Sequence, residues 1–424
     1  MDFRIFVFVL SVVPNCIFSG IKSHNPLSAL SFATGTEFTV DLGISSFDGR
    51  FNKLGTSIFS GDGQIGFAGG YLYGDDGLAQ LVGTRDTDGS FILGGSQSAV
   101  VGRNSTFSAL KARGSGNSVS GAARFSGSIT LQDAATSLNV ELYGTLNKNI
   151  VLNNGAISLN NDLVFADDYQ MTGSGICYLQ DRSVIFGASN LSFANTVSWI
   201  GEGIVELNGD VTLTGTWVFQ GNATVRGNGN RIILDPDGSL IVWHNSIATF
   251  DNVIFDGLAQ SSGSVGTFNL RCLDNDSKLL LRNSKLILDK DYSFTVGTID
   301  VERTVEIIGA SYTFTHASIL DFAIKSKSRL TIGRDTWFSY ASIAGTNNHL
   351  TMQDDTSELF LDGCTLHATD VGLRLETGKM TVKDRVYLRS DASVAVDAIE
   401  FDSAMEVRIL PGATLDVKGI LVYD

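Results

Sequence analysis

From Leu138 onward, apolar-x-apolar triplets return about every 24 residues, and this rhythm constrains the fold more than any other feature of the chain. Period-2 alternation marks strands with one buried face. One triplet per cycle, beginning at Leu138, Ile157, Val184, Val205, Ile232, Val253, Leu279, Val305, Leu330, Leu359, Met380 and Met405, leaves eleven gaps between 19 and 29 residues. Further triplets fill each cycle: Leu286-x-Leu288, Phe294-x-Val296 and Ile299-x-Val301 lie between the anchors at Leu279 and Val305. Several short strands per cycle are what one coil of a parallel β-helix contains. A β-sandwich would show strands about 8–12 residues apart without a higher period, and a propeller would repeat at about 40–50 residues.

The fold expected is therefore all-β, a right-handed parallel β-helix (β-solenoid) with about 24 residues per coil. One coil cannot bury its inward Leu, Val, Ile and Phe side chains alone, so coils must stack at about 4.8 Å. About twelve of them from Leu138 onward would make a rod about 55–60 Å long at that spacing. Glycine supports the same reading. The chain of 424 residues has 46 glycines and only 4 prolines, which suits tight turns between short strands.

Three segments are expected. Residues 1–20 read as a secretory signal: Arg4 supplies the basic n-region, Ile5 to Val13 an apolar run too short for a bilayer, and Pro14 precedes the small residues Ser19 and Gly20. A buried N-terminal strand is the other reading of this run. Residues 21–127 hold weaker triplets and, between Gly35 and Gly127, 20 of the 46 glycines. They are expected to form less regular coils or an N-terminal cap, with a separate glycine-rich β domain or a flexible arm as the alternative. Residues 128–424 are the regular helix. No barrel of long amphipathic strands and no apolar tail follows the last triplet, so an exported chain of this kind is expected to be released, held non-covalently or exported with a partner.

One stretch carries a family likeness. Phe219-Gln-Gly-Asn-Ala-Thr-Val-Arg-Gly-Asn-Gly-Asn-Arg-Ile-Ile-Leu234, followed by Ala248-Thr-Phe-Asp-Asn-Val-Ile-Phe-Asp-Gly257, resembles the coils of pectin-lyase-like right-handed β-helices. That group spans polysaccharide lyases, polygalacturonases, adhesins and autotransporter passengers. The resemblance implies the fold and leaves the activity open. Asn and Gly recur in such turns because they tolerate left-handed backbone.

Chemistry is harder to find. A polygalacturonase-like site would need paired aspartates with companion His and Arg/Lys motifs. Asp75-Asp76, Asp167-Asp168 and Asp354-Asp355 have no such companions nearby. Asp235 with Asp237, and Asp274 with Asp276, are the nearest approach to calcium ligands, and both pairs read as turns. The histidines, His24, His244, His316, His349 and His367, lack metal-ligand spacing. Trp243-His244-Asn245 sits at a strand end, where a packed aromatic or a carbohydrate-binding face are the two readings. Gly61-x-Gly63 and Gly227-x-Gly229 open no helix, so they are not phosphate loops. Cys177, Cys272 and Cys364 are widely spaced and are expected to be buried thiols, with one long-range disulfide as the alternative. No catalytic residue, metal ligand or cofactor is assigned.

Net charge is −15, which argues against nucleic acid and anionic membrane surfaces as partners. No transmembrane span is expected once the signal is removed. The partners left are cell-surface glycans or other envelope proteins, and self-association laterally or end to end. The chain is expected to be secreted, periplasmic or at the cell surface. Its expected function is that of a structural fibre, adhesin-like module or envelope scaffold without catalytic activity. The alternative is a carbohydrate-active enzyme with a divergent site, which predicts acidic and aromatic side chains converging from three or more successive coils.

Overall fold

The computed structural model describes residues 109–187, 189–260, 267–340, 350–369, 373–391, 399–419 and the strand Leu421–Tyr423. Most of what precedes residue 109 is described only as short backbone strands. The expected signal, residues 1–20, lies outside the described residues apart from the strand Cys16–Phe18. The described chain is all-β, a β-solenoid of about 12 turns whose equivalent strands lie about 22 residues apart. Contacts group the chain into two compact units, Met1–Ala188 and Ser189–Asp424.

In the first unit the strands Asn117–Ala122, Ser137–Tyr143, Ala156–Leu159 and Gly175–Tyr178 stack as one parallel face. A second parallel face stacks Leu110–Ala112, Ile129–Leu131, Ile150–Val151 and Met171–Thr172. Leu138, Ile157 and Cys177 fall in register in the first face and are all buried.

The second unit turns through three faces per coil. Its first face runs Val197–Ile200, Thr216–Gln220, Ser239–Val242 and Leu270–Cys272. It resumes as the sheet Tyr292–Phe294, Thr313–His316, Trp337–Tyr340, Thr365–Ala368, Arg385–Ser390 and Thr414–Lys418. The second face begins with Gly203–Leu207, Asn222–Arg226 and Ile247–Asp251, and the third with Asp210–Leu213, Arg231–Leu234 and Ile254–Leu258. The eleven-residue strands Lys278–Leu288 and Thr298–Ile308 span both faces and join them into one sheet.

The corner between second and third faces shows why the sequence turns there. Asn228, Asn252, Asn283, Arg303 and Lys327 take positive φ between +50 and +60° on five successive coils, and asparagine tolerates that region best of the non-glycine residues. Serine hydroxyls tie off nearby backbone groups. Ser284 Oγ accepts from Val253 N at 3.3 Å, Ser328 Oγ accepts from Arg303 N at 2.8 Å, and Ser357 donates to the Lys325 carbonyl at 3.0 Å. Buried backbone groups left open by a bend need such partners.

Inside, side chains from successive coils align. Val211, Ile232, Phe255, Leu286, Ile307, Ile332, Leu361 and Val382 form one in-register column, each at most 1% exposed. Each such side chain contributes about 1.5–3 kcal/mol on burial. Outside, charges pair between coils. Asp300, its side chain 5% exposed, meets Lys278 of the preceding coil at 2.8 Å and Lys325 of the following one at 3.1 Å. Along the third face Arg329, Glu358, Lys379 and Glu406 occupy one register column. Within it Arg329 pairs with Glu358 at 2.7 Å and Lys379 with Glu406 at 3.3 Å.

Cys177, Cys272 and Cys364 are free and buried, so the buried-thiol expectation holds. Burial pushes the Cys272 and Cys364 thiols up to about 12, and that of Cys177 higher still. Thiolate is the reactive form. At pH 8 an aromatic disulfide reagent should therefore leave all three unmodified in the native protein and label all three in guanidinium chloride. Rapid native labelling of any of them would contradict this burial.

Candidate functional site

The structure brings together two features that the sequence holds 30 residues apart. His244 Nδ1 lies 2.9 Å from Asp274 Oδ2 on the next coil. The Ser277 hydroxyl is within donating reach of both Asp274 Oδ1 and, at 2.7 Å, the Trp243 carbonyl, which share its one proton. Hydrogen bonds from Ser277, then from His244 and the Asn245 backbone, hold Asp274 below the usual carboxylate range. The order of these groups decides what they can do. A histidine acting as base must lie between the serine and the carboxylate, whereas here the carboxylate lies between the other two. The cluster fastens a turn to the coil above it.

The remaining candidates are also turn residues. The Gly238 amide donates to the Asp235 carbonyl at 2.7 Å, closing the Asp235-Pro236-Asp237-Gly238 turn. Asp354 accepts from Thr356 N at 2.9 Å and from the Ser326 hydroxyl. Hydrogen bonding, first from Ser326 and then from Thr356, draws its carboxyl down to about 2. Asp168 has φ +70° beside Asp167. Asp75-Asp76, His24 and His349 lie outside the described residues. Among the described residues no group of three or more His, Cys, Asp or Glu is placed to hold a metal ion.

His316 is a core residue. It is 0% exposed, stacks on Phe294 and packs against Phe322 and Tyr340. Its Nε2–H donates to the Leu320 carbonyl at 2.9 Å, and its buried Nδ1 has no partner. Burial lowers its pKa to about 4. The unfolded chain would take up a proton near pH 6.5, well before the folded one does. Stability from this group is thus complete above pH 6.5 and falls as pH drops toward 4, by about 3 kcal/mol at the limit. Denaturation midpoints should decline across that window, and His316→Phe should flatten the decline. An unchanged slope in that variant would show that other groups set it.

The most chemically varied surface lies on the first face of the last coils. Two outward columns run side by side there. One is Trp337, Thr365, Tyr387, Asp416; the other is Ser339, His367, Arg389, Lys418. Thr365 is small and 5% exposed, which leaves a gap between the two aromatic rings. Arg389 fills it, its guanidinium carbon 5.0 Å from the Trp337 ring centroid and 5.5 Å from that of Tyr387. Trp337 is 38% exposed and meets His367 edge-on at 6.0 Å. The nearby carboxylates go elsewhere. Asp391 accepts from His367 Nε2 at 2.9 Å, and Asp416 pairs with Arg385 at 3.0 Å. Arg389 Nε is buried with no acceptor. The arrangement can stack a flat ligand and bind an anion.

Sequence reasoning missed Trp337, Tyr387 and Arg389, because Trp337 stands 50 residues from Tyr387 and 52 from Arg389. The signal available was register: once Leu366 and Leu388 are taken as equivalent inward positions, residues 365 and 387 share a column. No protein-family profile, curated protein or solved structure matches this chain.

Proposed function

We propose that this chain is an exported, non-enzymatic β-solenoid, a surface fibre, adhesin-like module or envelope scaffold that works through its lateral faces. One observation carries this reading: exposed carboxylates on adjoining coils are matched to basic side chains instead of to each other. Glu206 pairs with Arg226, Asp256 with Arg231, Glu302 with Arg282, Glu306 with Lys285 and Asp362 with Lys383, all at 2.6–3.0 Å. Glycoside hydrolysis needs one carboxyl to donate a proton while another acts as base or nucleophile, and carboxylates held by cations are poor proton donors. Among the described residues no helix is long and apolar enough to cross a membrane. The apolar run at Ile5 to Val13 supports export.

The test has two arms. Fractionation of native cells with a specific antibody should find the protein outside the cytosol with its first residues removed. Incubation with a polysaccharide panel should release no reducing ends and no unsaturated products. Cytosolic protein with an intact N-terminus would refute export, and turnover of any polymer would refute the non-enzymatic half.

A further inference from the structure

Resting on that reading, we propose that the first-face patch formed by Trp337, His367, Tyr387 and Arg389 is a binding subsite for an acidic glycan, a sugar chain bearing carboxylate or sulfate groups. Three observations carry it. The first is the unspent charge of Arg389. On the same coils Arg329, Arg334, Arg374 and Arg385 each meet a carboxylate. Arg389 lies between two rings instead, while Asp391 and Asp416 beside it are engaged by His367 and Arg385. A guanidinium engaged by aromatic rings keeps donors for an outside anion, and its fork matches carboxylate and sulfate oxygens. Among the described residues no carboxylate neutralises Arg389, so in a chain of net charge −15 it is a cation still able to take an anion from outside.

The second observation is the character of the surrounding surface. Thr313, Thr315, Ser339 and Thr365 are the outward neighbours on this sheet. Aromatic rings among hydroxyls suit a sugar, whose C–H face stacks on a ring while its hydroxyls exchange hydrogen bonds. The centre of a protein interface would present more apolar area than this.

The third observation is spacing. Trp337 and Tyr387 sit two coils apart in one column, about 9.6 Å at the usual inter-strand distance. The rise per residue of an extended β-1,4-linked glycan is close to one coil. A chain lying along the stacking direction would put one sugar over each ring and the intervening one above Thr365, next to Arg389.

Calorimetric titration of the full chain with three hexasaccharides, from alginate (carboxylate), heparin (sulfate and carboxylate) and cellulose (neutral), tests the subsite. At least one acidic ligand should bind about tenfold or more tighter than the neutral one, and its affinity should fall as salt is raised. Arg389→Gln and Trp337→Ala should each weaken it about tenfold or more, a loss in the range expected for a charge-assisted contact or a stacked ring. Arg329→Gln, on the third face, should leave binding unchanged. Binding of alginate assigns a carboxylate; binding of heparin alone assigns a sulfate. If Arg389→Gln lowers the melting temperature, Arg389→Lys carries the test, because it keeps the charge and loses the fork. Equal binding of cellohexaose, or full acidic-glycan affinity in the folded Arg389 variants, overturns the proposal. Cleavage of a bound ligand would refute the non-enzymatic reading and leave the subsite standing. No binding and no cleavage would refute the subsite and leave the scaffold.

Discussion

Trp217→Ala is expected to destabilise the second unit by about 3–5 kcal/mol, the range for deleting a fully buried large aromatic side chain. Trp217 points inward from the first face, 0% exposed. It meets Phe193, Trp199 and Phe219 edge-on with ring centroids 5.0, 5.5 and 6.3 Å away. The cluster continues through Phe219 to Phe250 and on to Phe255, across all three faces. Removing one ring leaves a cavity that relaxed neighbours cannot fill, because each is fixed by the strands above and below it. The indole Nε1 of Trp217 is buried without an acceptor. Trp217→Phe should therefore cost far less, about 1–2 kcal/mol, since the lost volume is partly offset by removal of an unsatisfied donor. Urea denaturation followed by circular dichroism measures both. Equal losses in the two variants would mean that the ring cluster does not hold the coils together.

Gly257→Ala should be nearly as damaging despite adding a single methyl group. Gly257 has φ +87°, and an added Cβ would lie 2.4 Å from the Leu234 carbonyl oxygen. The residue stands where the strand Ile254–Leu258 shifts register against Lys278–Leu288, a bulge of the kind that favours glycine. Left-handed backbone costs an alanine about 1–2 kcal/mol. Displacing the neighbouring strand adds the loss of ladder hydrogen bonds, for a total of about 3 kcal/mol or more. Gly412→Ala separates the two contributions, since Gly412 has φ +81° with nothing within 4 Å of the added carbon. It should show only the backbone cost. If both variants lose the same stability, the close approach to Leu234 is not what demands glycine.

Much of this architecture was legible in the alternation of apolar residues, and the misreadings have a physical cause. Leu330, Leu359 and Met380 begin successive triplets in the sequence, and they are in register on the third face. Val205 and Ile232 also read as successive anchors, yet Val205 pairs with Val225 on the second face, and Ile232 pairs with Val211 on the third. A coil with three inward-facing strands offers three equally apolar triplets, so the eye slides from one face to another. The period of about 24 residues is itself that of the in-register column from Val211 to Val382, and the shorter coils of the first unit, where Leu110, Ile129, Ile150 and Met171 stand 19 to 21 residues apart, bring the repeat to about 22. The corner at Asn228 and Asn252 was visible as turn chemistry, and both have positive φ. The patch around Arg389 was not visible, because its residues become neighbours only when register is known. His244 and Asp274 each stand out in the sequence as turn residues, but their contact likewise depends on which turn stacks on which.

The charge column on the third face carries a further consequence. Arg329, Glu358, Lys379 and Glu406 change sign with every coil, so the column records whether a coil is odd or even. Excising the coil that carries Glu358 would set Arg329 against Lys379, and like charges directly opposite one another are destabilising. Excising two consecutive coils would restore opposite signs across the junction. Growth and shrinkage of this part of the solenoid are thereby biased toward steps of two coils, as in a lattice with a doubled unit cell. A strand presented out of phase by one coil, whether from a slipped copy or a misfolded neighbour, meets repulsion along the same line.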